Sequence, residues 1–375
     1  MTKRRKVPAE LRHLVAEARS LESTALRKHH LVPASYLRRW AEDGLLRVTD
    51  INSKHDYKTS PAKAARQTDF YRLESDDLDA DELPPLLFEV VLSRVEEWGK
   101  EGIDALLTAP TVIDPLRTAQ FAFYLGTQFT RGAAFRAELQ QMTNAMFKLQ
   151  FGDLSDDGIR QELVRRGANP TEDLVESSRR LLDGINNGSY RVSLQDAAAV
   201  AQAGEMAYAL GEHFLERTWV VFETPKTMIT SDEPVTLVGG PGSPRDERAG
   251  VATAGVILLP LNPSHVLAMF RDDVAARIGT VAPPGDIQHG RLGPLETSEL
   301  RFEVAMNAHR WTFERPSKRV AANLSLGPPV EAFSIEEVGE MERASDVGLV
   351  IRSFKKNRFT GATLRRPWPV AAWWN

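Results

Sequence analysis

The sequence predicts an α+β fold: a helical layer from the middle of the chain packed on a mostly antiparallel sheet from its C-terminal half, with a small helix-plus-strands unit at the N-terminus. Two observations predict it. Apolar residues recur at spacings of three and four through residues 83–98, 114–149, 171–186 and 193–216, the period of core-facing helices. From Thr218 to Arg315 the period changes to short runs rich in β-branched and aromatic residues, "WVVFET", "TMITSD", "PVTLVG", "GVILLPLN", "HVLAMFR" and "RWTFER", separated by Pro, Gly and Asn, the mark of strands. Helices grouped first and strands afterwards give α+β, whereas strict alternation would give a parallel α/β sheet.

The elements follow in order. Residues 9–27 place Leu11, Leu14, Val15, Ala18, Leu21 and Leu26 on one stripe, which predicts an amphipathic arm over residues 1–27. Pro33 suits the first turn of a short helix, Tyr36, Leu37 and Trp40 give it one apolar face, and Gly44 is read as its left-handed stop. "LLRVTDIN" (Leu45–Asn52) reads as a strand with a partner in the region "DYKTSPAKAARQTDFYRL". The helices come next, with Ser193 as a plausible N-cap of the last. The glycine- and proline-rich "GGPGSPRDERAG" is a loop interrupting the sheet. Residues 28–326 are read as a single domain, and residues 327–375 as a basic, Trp-containing segment.

Composition narrows the chemistry. At 375 residues with 42% apolar content, the chain can bury a sizeable core. The absence of cysteine excludes disulfides, thiolate zinc sites and thiol nucleophiles. No apolar run is long enough to span a bilayer, and the N-terminus lacks the apolar stretch of a secretory signal, so a cytoplasmic chain without a membrane partner is expected. Walker, dinucleotide-binding, G-x-S-x-G and H-E-x-x-H signatures are absent. Charge is uneven: residues 1–30 carry eight basic and three acidic residues, and residues 347–375 carry six basic and no acidic ones. The chain's net charge of -4 therefore hides basic ends around an acidic body. Nucleic acid is one partner that such ends would attract; basic tails packed on the acidic body are the alternative.

Three polar clusters sit at element ends. His29 and His30 precede "LVP"; in an extended segment their side chains point to opposite sides, so a given pocket receives one of them. They are candidates for catalysis, and His30 for a metal, against the reading in which they bond the backbone near a helix start. In "MITSDEPVTLV", Asp232 is a candidate general base, metal ligand or carboxylate that orients a histidine, or else a carboxylate that accepts backbone N–H groups in a turn. In "NAHRW", Asn307 and Arg310 are candidates to hold a phosphate or carboxylate, or to cap a helix end. Arg131 in "QFTRG" lies in an apolar helix and needs a carboxylate or carbonyl partner, for which Glu89 and Glu96 are placed; it too is a candidate substrate-binding residue.

Together, "HHLVPASYLRRWA", "FYRLES", "QFTRGAAFR", a tryptophan ahead of "ITSDEPV", and an asparagine and arginine before the last strand resemble a widespread bacterial family of unknown function. Its members open with HH-x-x-P-x-x-Y-L and carry a TSD-x-P turn. The resemblance covers about Lys28 to Leu326. Trp40 stands where the family often has phenylalanine, and Glu233 where it often has asparagine. The resemblance implies that these motifs occur together and supplies no activity. Two readings of function follow. One is a hydrolase of phosphorylated or nucleic-acid substrates, nuclease-like, with His29 or His30 and Asp232 around a divalent metal or as a base pair and Arg131 or Arg310 on the phosphate. The other is a non-catalytic binding protein in which the same residues are structural. The "HHLVP" and "TSDEPV" segments are expected to meet in space, since buried polar groups require partners.

Overall fold

The computed structural model of the chain describes residues 12–22, 28–68, 84, 87–108, 111–192, 196–240, 249–280, 282–283 and 285–326. The N-terminal part holds α1 (Arg12–Glu22), β1 (Lys28–His30) and α2 (Ala34–Leu37), which runs into a 3-10 turn at Arg38–Trp40. Strands β2 (Leu46–Asp50), β3 (Asp56–Thr59) and β4 (Arg66–Thr68) follow. The helices are α3 (Leu87–Leu107), α4 (Pro115–Thr130), α5 (Ala133–Phe151), α6 (Asp156–Arg165), α7 (Glu172–Asn186) and α8 (Asp196–Leu215). Then come β5 (Thr218–Glu223), β6 (Thr230–Ser231), β7 (Thr236–Val238), β8 (Val256–Asn262), β9 (His265–Phe270), α9 (Asp272–Arg277), β10 (Ile287–Arg291), α10 (Pro294–Asn307) and β11 (Trp311–Glu314). The fold is α+β. No helix among the described residues is long and apolar enough to cross a membrane.

The described residues fall into two compact units, one of residues up to 135 with 196–326, the other of residues 136–192. In the first, the strands form a five-stranded sheet, order β10-β5-β9-β8-β7, a four-stranded sheet, order β3-β2-β11-β6, and the pair β1-β4. All pairings are antiparallel except β10 beside β5. The five-stranded sheet is covered on both faces, which explains why "VILLPL" (residues 256–261) is apolar throughout. Trp219, Val221, Ile257, Leu259, Leu267 and Met269 share a core with residues of α3, α4 and α8. Val220, Val256, Leu258, Val266, Ala268 and Phe270 point the other way, onto Leu300, Val304 and Ala305 of α10. In α4, Gly126 lets the helix approach α8 closely: a Cβ there would overlap the Ala207 carbonyl.

The second unit holds the rest of α5 with α6 and α7. Ser155 and Thr171 accept from Gly158 N and Leu174 N as N-caps. Ile159, Val175 and Leu182 form its core with Phe147, Phe151, Leu154 and Leu163.

Several details depart from the sequence reading. Gly44, with φ +74°, and Asp43, with φ +53°, are the two central residues of a tight turn joining Glu42 and Leu45, and the helix before them has ended at Trp40. The pair Asp-Gly supplies the two positive φ angles that a type I′ turn needs. The continuous helix expected over 114–149 breaks at Arg131 and Gly132 into α4 and α5. The strands from β5 onwards divide between the two larger sheets, and the chain passes from one to the other in the "SDEP" turn, between β6 and β7. The "FYRLES" stretch, Ser193, residues 241–248 of the interrupting loop, much of the N-terminal arm and the segment 327–375 lie outside the described residues.

Candidate functional site

β1 pairs with β4 in a short ladder that sets His30 opposite Arg66, and Leu31 N donates to Ala65 O at 2.8 Å. His30 Nε2 lies 3.1 Å from Ala62 O and 3.1 Å from Arg66 Nε. The first contact needs a proton on Nε2 and the second needs a lone pair, so the two demand opposite states of the ring. Burial holds the His30 pKa below its ordinary value; the Ala62 carbonyl, Glu96 and Glu89 oppose this, and Arg66 adds to it. The side chain of His29 lies outside the described residues.

Arg131 caps the C-terminus of α4 and is 3% exposed. Its Nη1 donates to Glu96 Oε1 of α3 at 2.9 Å, and its Nη2 to the main-chain oxygen of His30 at 2.5 Å. A planar guanidinium can serve both acceptors at once. One turn earlier, Gln128 is 1% exposed, and neither Oε1 nor Nε2 of its amide has a hydrogen-bond partner.

The turn after Arg131 is closed from the other side. A Cβ at Gly132 would overlap the Glu233 carboxylate, whose Oε1 accepts from Ala134 N at 3.1 Å. Glu233 thus caps the N-terminus of α5 from far along the chain, in the place where a local side chain ordinarily serves. Ser231 Oγ donates to Glu233 O at 2.9 Å and accepts from Glu233 N at 3.2 Å, fixing the turn.

Asp232, 3% exposed, accepts three consecutive main-chain N–H groups: His309 N at 2.9 Å on Oδ1, and Arg310 N at 2.8 Å and Trp311 N at 3.1 Å on Oδ2. Its own N donates to Trp311 O at 2.9 Å. The carboxyl therefore organises the connection from α10 into β11. Burial pushes its pKa up, while His309 and the three amides pull it down. Donors on both oxygens call for the acceptor-only carboxylate.

The remaining candidates are engaged nearby or elsewhere. Arg310, with its side chain 55% exposed, donates through Nε to Asp50 Oδ2 at 2.8 Å and lies 4.8 Å over the Trp311 ring. Burial raises the pKa of Asp50, but the amides of Ser53 and Asn52 and the Arg310 guanidinium hold it below its ordinary value. Asn307 Nδ2 donates to Glu303 O at 2.9 Å within α10, the helix-end role.

The hydrogen bonds to the strand carrying "TSDEPV" and its approach come from the helix that follows "HHLVP", and the expected histidines and aspartate take no part. Tyr36 Oη is 2.8 Å from Thr230 Oγ1 and donates to Pro260 O at 2.6 Å, and Trp40 Nε1 donates to Met228 O at 3.2 Å. Leu31 packs in one cluster with Leu92, Phe88, Ala133 and Trp311. Thus Arg131 and His30 form one group, Asp232 and Arg310 another, and the α4–α5 turn stands between them with Arg131 on one side and Glu233 on the other. No hydrogen bond joins His30 to Asp232. Among the described residues, no three His, Asp or Glu side chains group as a metal centre would require.

Sequence reasoning passed over Glu233, Tyr36 and Asp50 as site residues. The one signal for Glu233 was a second acid beside the motif aspartate, at a turn where buried charge needs a partner.

No curated protein and no solved structure matches the chain. Residues 28–318 match a family described as a protein of unknown function, DUF4238. That span is most of the chain, and the chain belongs to this family.

Proposed function

We propose that the chain is a non-catalytic interaction protein in which the HH and TSD motifs form an internal clasp, and that its basic ends, most of whose residues lie outside the described ones, supply the contact to a polyanion such as nucleic acid. The observation that carries the reading is Asp232: buried, with three amide donors on its two oxygens, it is committed to the main chain and offers poor access to a substrate. Arg131 supports it, since a guanidinium already shared between Glu96 and the His30 carbonyl has little left for a phosphate.

The hydrolase reading keeps one favourable observation. The His30 ring is only partly buried and held toward its neutral form beside exposed Arg66, the state a general base needs.

The test uses the full chain, its Asp232→Asn and His30→Ala variants, labelled single- and double-stranded nucleic acid, and Mg²⁺ or Mn²⁺. Salt-sensitive binding without cleavage, together with a lower melting temperature for Asp232→Asn, is the expected result. Cleavage by the parent chain that either substitution abolishes at unchanged melting temperature would replace the clasp with a catalytic site.

A further inference from the structure

Three threonine hydroxyls are buried without a hydrogen-bond partner on the faces of the two larger sheets that look away from the core shared with α3 and α4. Thr49 of β2 and Thr312 of β11 are 1% and 0% exposed, Thr236 of β7 is 0% exposed, and Oγ1 is unbonded in all three. The register fixes their direction. Phe313 and Val48 belong to the core shared with α3 and α4, so Thr312 and Thr49, next in sequence and opposite each other across the ladder, point away from it. Ser231 lies across from Thr312 on its other side, so Thr49, Thr312 and Ser231 form a row of hydroxyls across three strands. Thr236 shares its face with Val238, which packs in the cluster containing Leu300, Val304 and Ala305 of α10. On α10 itself, Glu303 is fully buried, one turn from Leu300 and next to Val304.

A hydroxyl removed from water without a partner is destabilising, and three such losses would rival the net stability of a domain. The geometry offers a remedy. Side chains paired across an antiparallel ladder have Cβ atoms roughly 5 Å apart, and a water bonded to two hydroxyls sits about 2.8 Å from each. That spacing admits either a direct bond or one bridging water; Thr49 and Thr312 make no direct bond to each other, which leaves the bridging water. Ser231 Oγ, which donates once to Glu233 O and accepts once from Glu233 N, retains a lone pair for it.

We propose that this hydroxyl-lined face is a binding site for internal water, a short file along Thr49, Thr312 and Ser231.

The test replaces each threonine by valine, which keeps shape and removes the hydroxyl. If this face is dry, Thr312→Val and Thr49→Val remove an unsatisfied group and raise the melting temperature of the full chain. If it is hydrated, each strands a bound water and lowers it, and the double variant loses less than the two single losses combined because both share one molecule. Lowered midpoints with this shortfall are the expected result. Raised or unchanged midpoints, or a high-resolution crystal structure of the parent chain with no ordered water within hydrogen-bond distance of Thr312 Oγ1, would overturn the proposal.

Discussion

The contact between Glu233 and Gly132 makes a sharp prediction. Gly132→Ala introduces a methyl where the Glu233 carboxylate lies, and Glu233 is buried, with 4% exposure, and bonded to Ala134 N, so it cannot swing aside without exposing the first turn of α5. Overpacking of this kind destabilises by about 1–3 kcal/mol, and loss of the cap adds about 1 kcal/mol. Glu233→Ala alone removes the cap. Once Glu233 is gone, however, the alanine at 132 meets no carboxylate, and the loss of glycine's freedom in the unfolded chain should make it neutral or favourable by about 0.5 kcal/mol. The two substitutions should therefore couple by about 2–4 kcal/mol, measured by urea denaturation of the four proteins followed by tryptophan fluorescence. If the double variant loses the sum of the single losses, Glu233 is not what requires glycine at 132.

Other contacts give further expectations. Tyr36→Phe should lower stability by about 1–3 kcal/mol, because Thr230 Oγ1 and Pro260 O lose their partner; the measurement is the denaturation midpoint. Arg131→Met should destabilise by about 3 kcal/mol, since Glu96 is left unpaired; adding Glu96→Met should recover most of this, and no recovery would mean that the His30 carbonyl is the partner that matters. Stability should also depend on His30. Its folded-state pKa lies below the ordinary 6.5, so the folded state binds fewer protons than the unfolded one. The contribution is fully present above about pH 6.5 and is lost as pH falls through that value toward the folded pKa. His30→Gln should flatten this part of the stability profile, and an unchanged profile between pH 5 and 7 would assign it to other groups.

Much of the fold was legible because its long elements obey a single period. The helices over 114–149 and 193–216 and the strands from "WVVFET" to "RWTFER" carry apolar residues at spacings that only one secondary structure can bury. What escaped has physical causes. β10, "IQHGR", lies at the edge of its sheet and has one fully buried side chain, so its sequence shows no alternation to read. The break between α4 and α5 is held by a partner about a hundred residues away, for Glu233 lies against Gly132 and accepts from Ala134 N. Local propensity has no access to such a contact. Gly44 was recognised as a left-handed residue but assigned to a helix end, because Asp43 beside it is equally compatible with a hairpin turn.

The candidate site was legible in its residue types and illegible in its pairings, and the difference explains why histidine and aspartate motifs invite a catalytic reading. Asp232, Glu233 and Arg131 all stand where the chain leaves a regular element: between β6 and β7, and between α4 and α5. Such junctions expose main-chain groups that no ladder or helix satisfies. In the interior, a charged side chain can supply several of those bonds at once, as Asp232 does for residues 309–311 and Arg131 for the His30 carbonyl. A buried charge that serves the backbone in this way leaves the same mark in a sequence as one that serves a substrate: a polar cluster in an apolar setting, next to proline or glycine. The two are separated by what the charged atoms touch. Here both Asp232 oxygens face amides and both terminal nitrogens of Arg131 face acceptors. The clasp accordingly predicts that Asp232→Ala, which orphans three N–H groups, should cost about 3–5 kcal/mol and disorder the start of β11. Amide exchange at His309, Arg310 and Trp311 should accelerate well beyond that at β8. Equal acceleration across both strands would mean that the loss is global and that Asp232 does not organise this junction in particular.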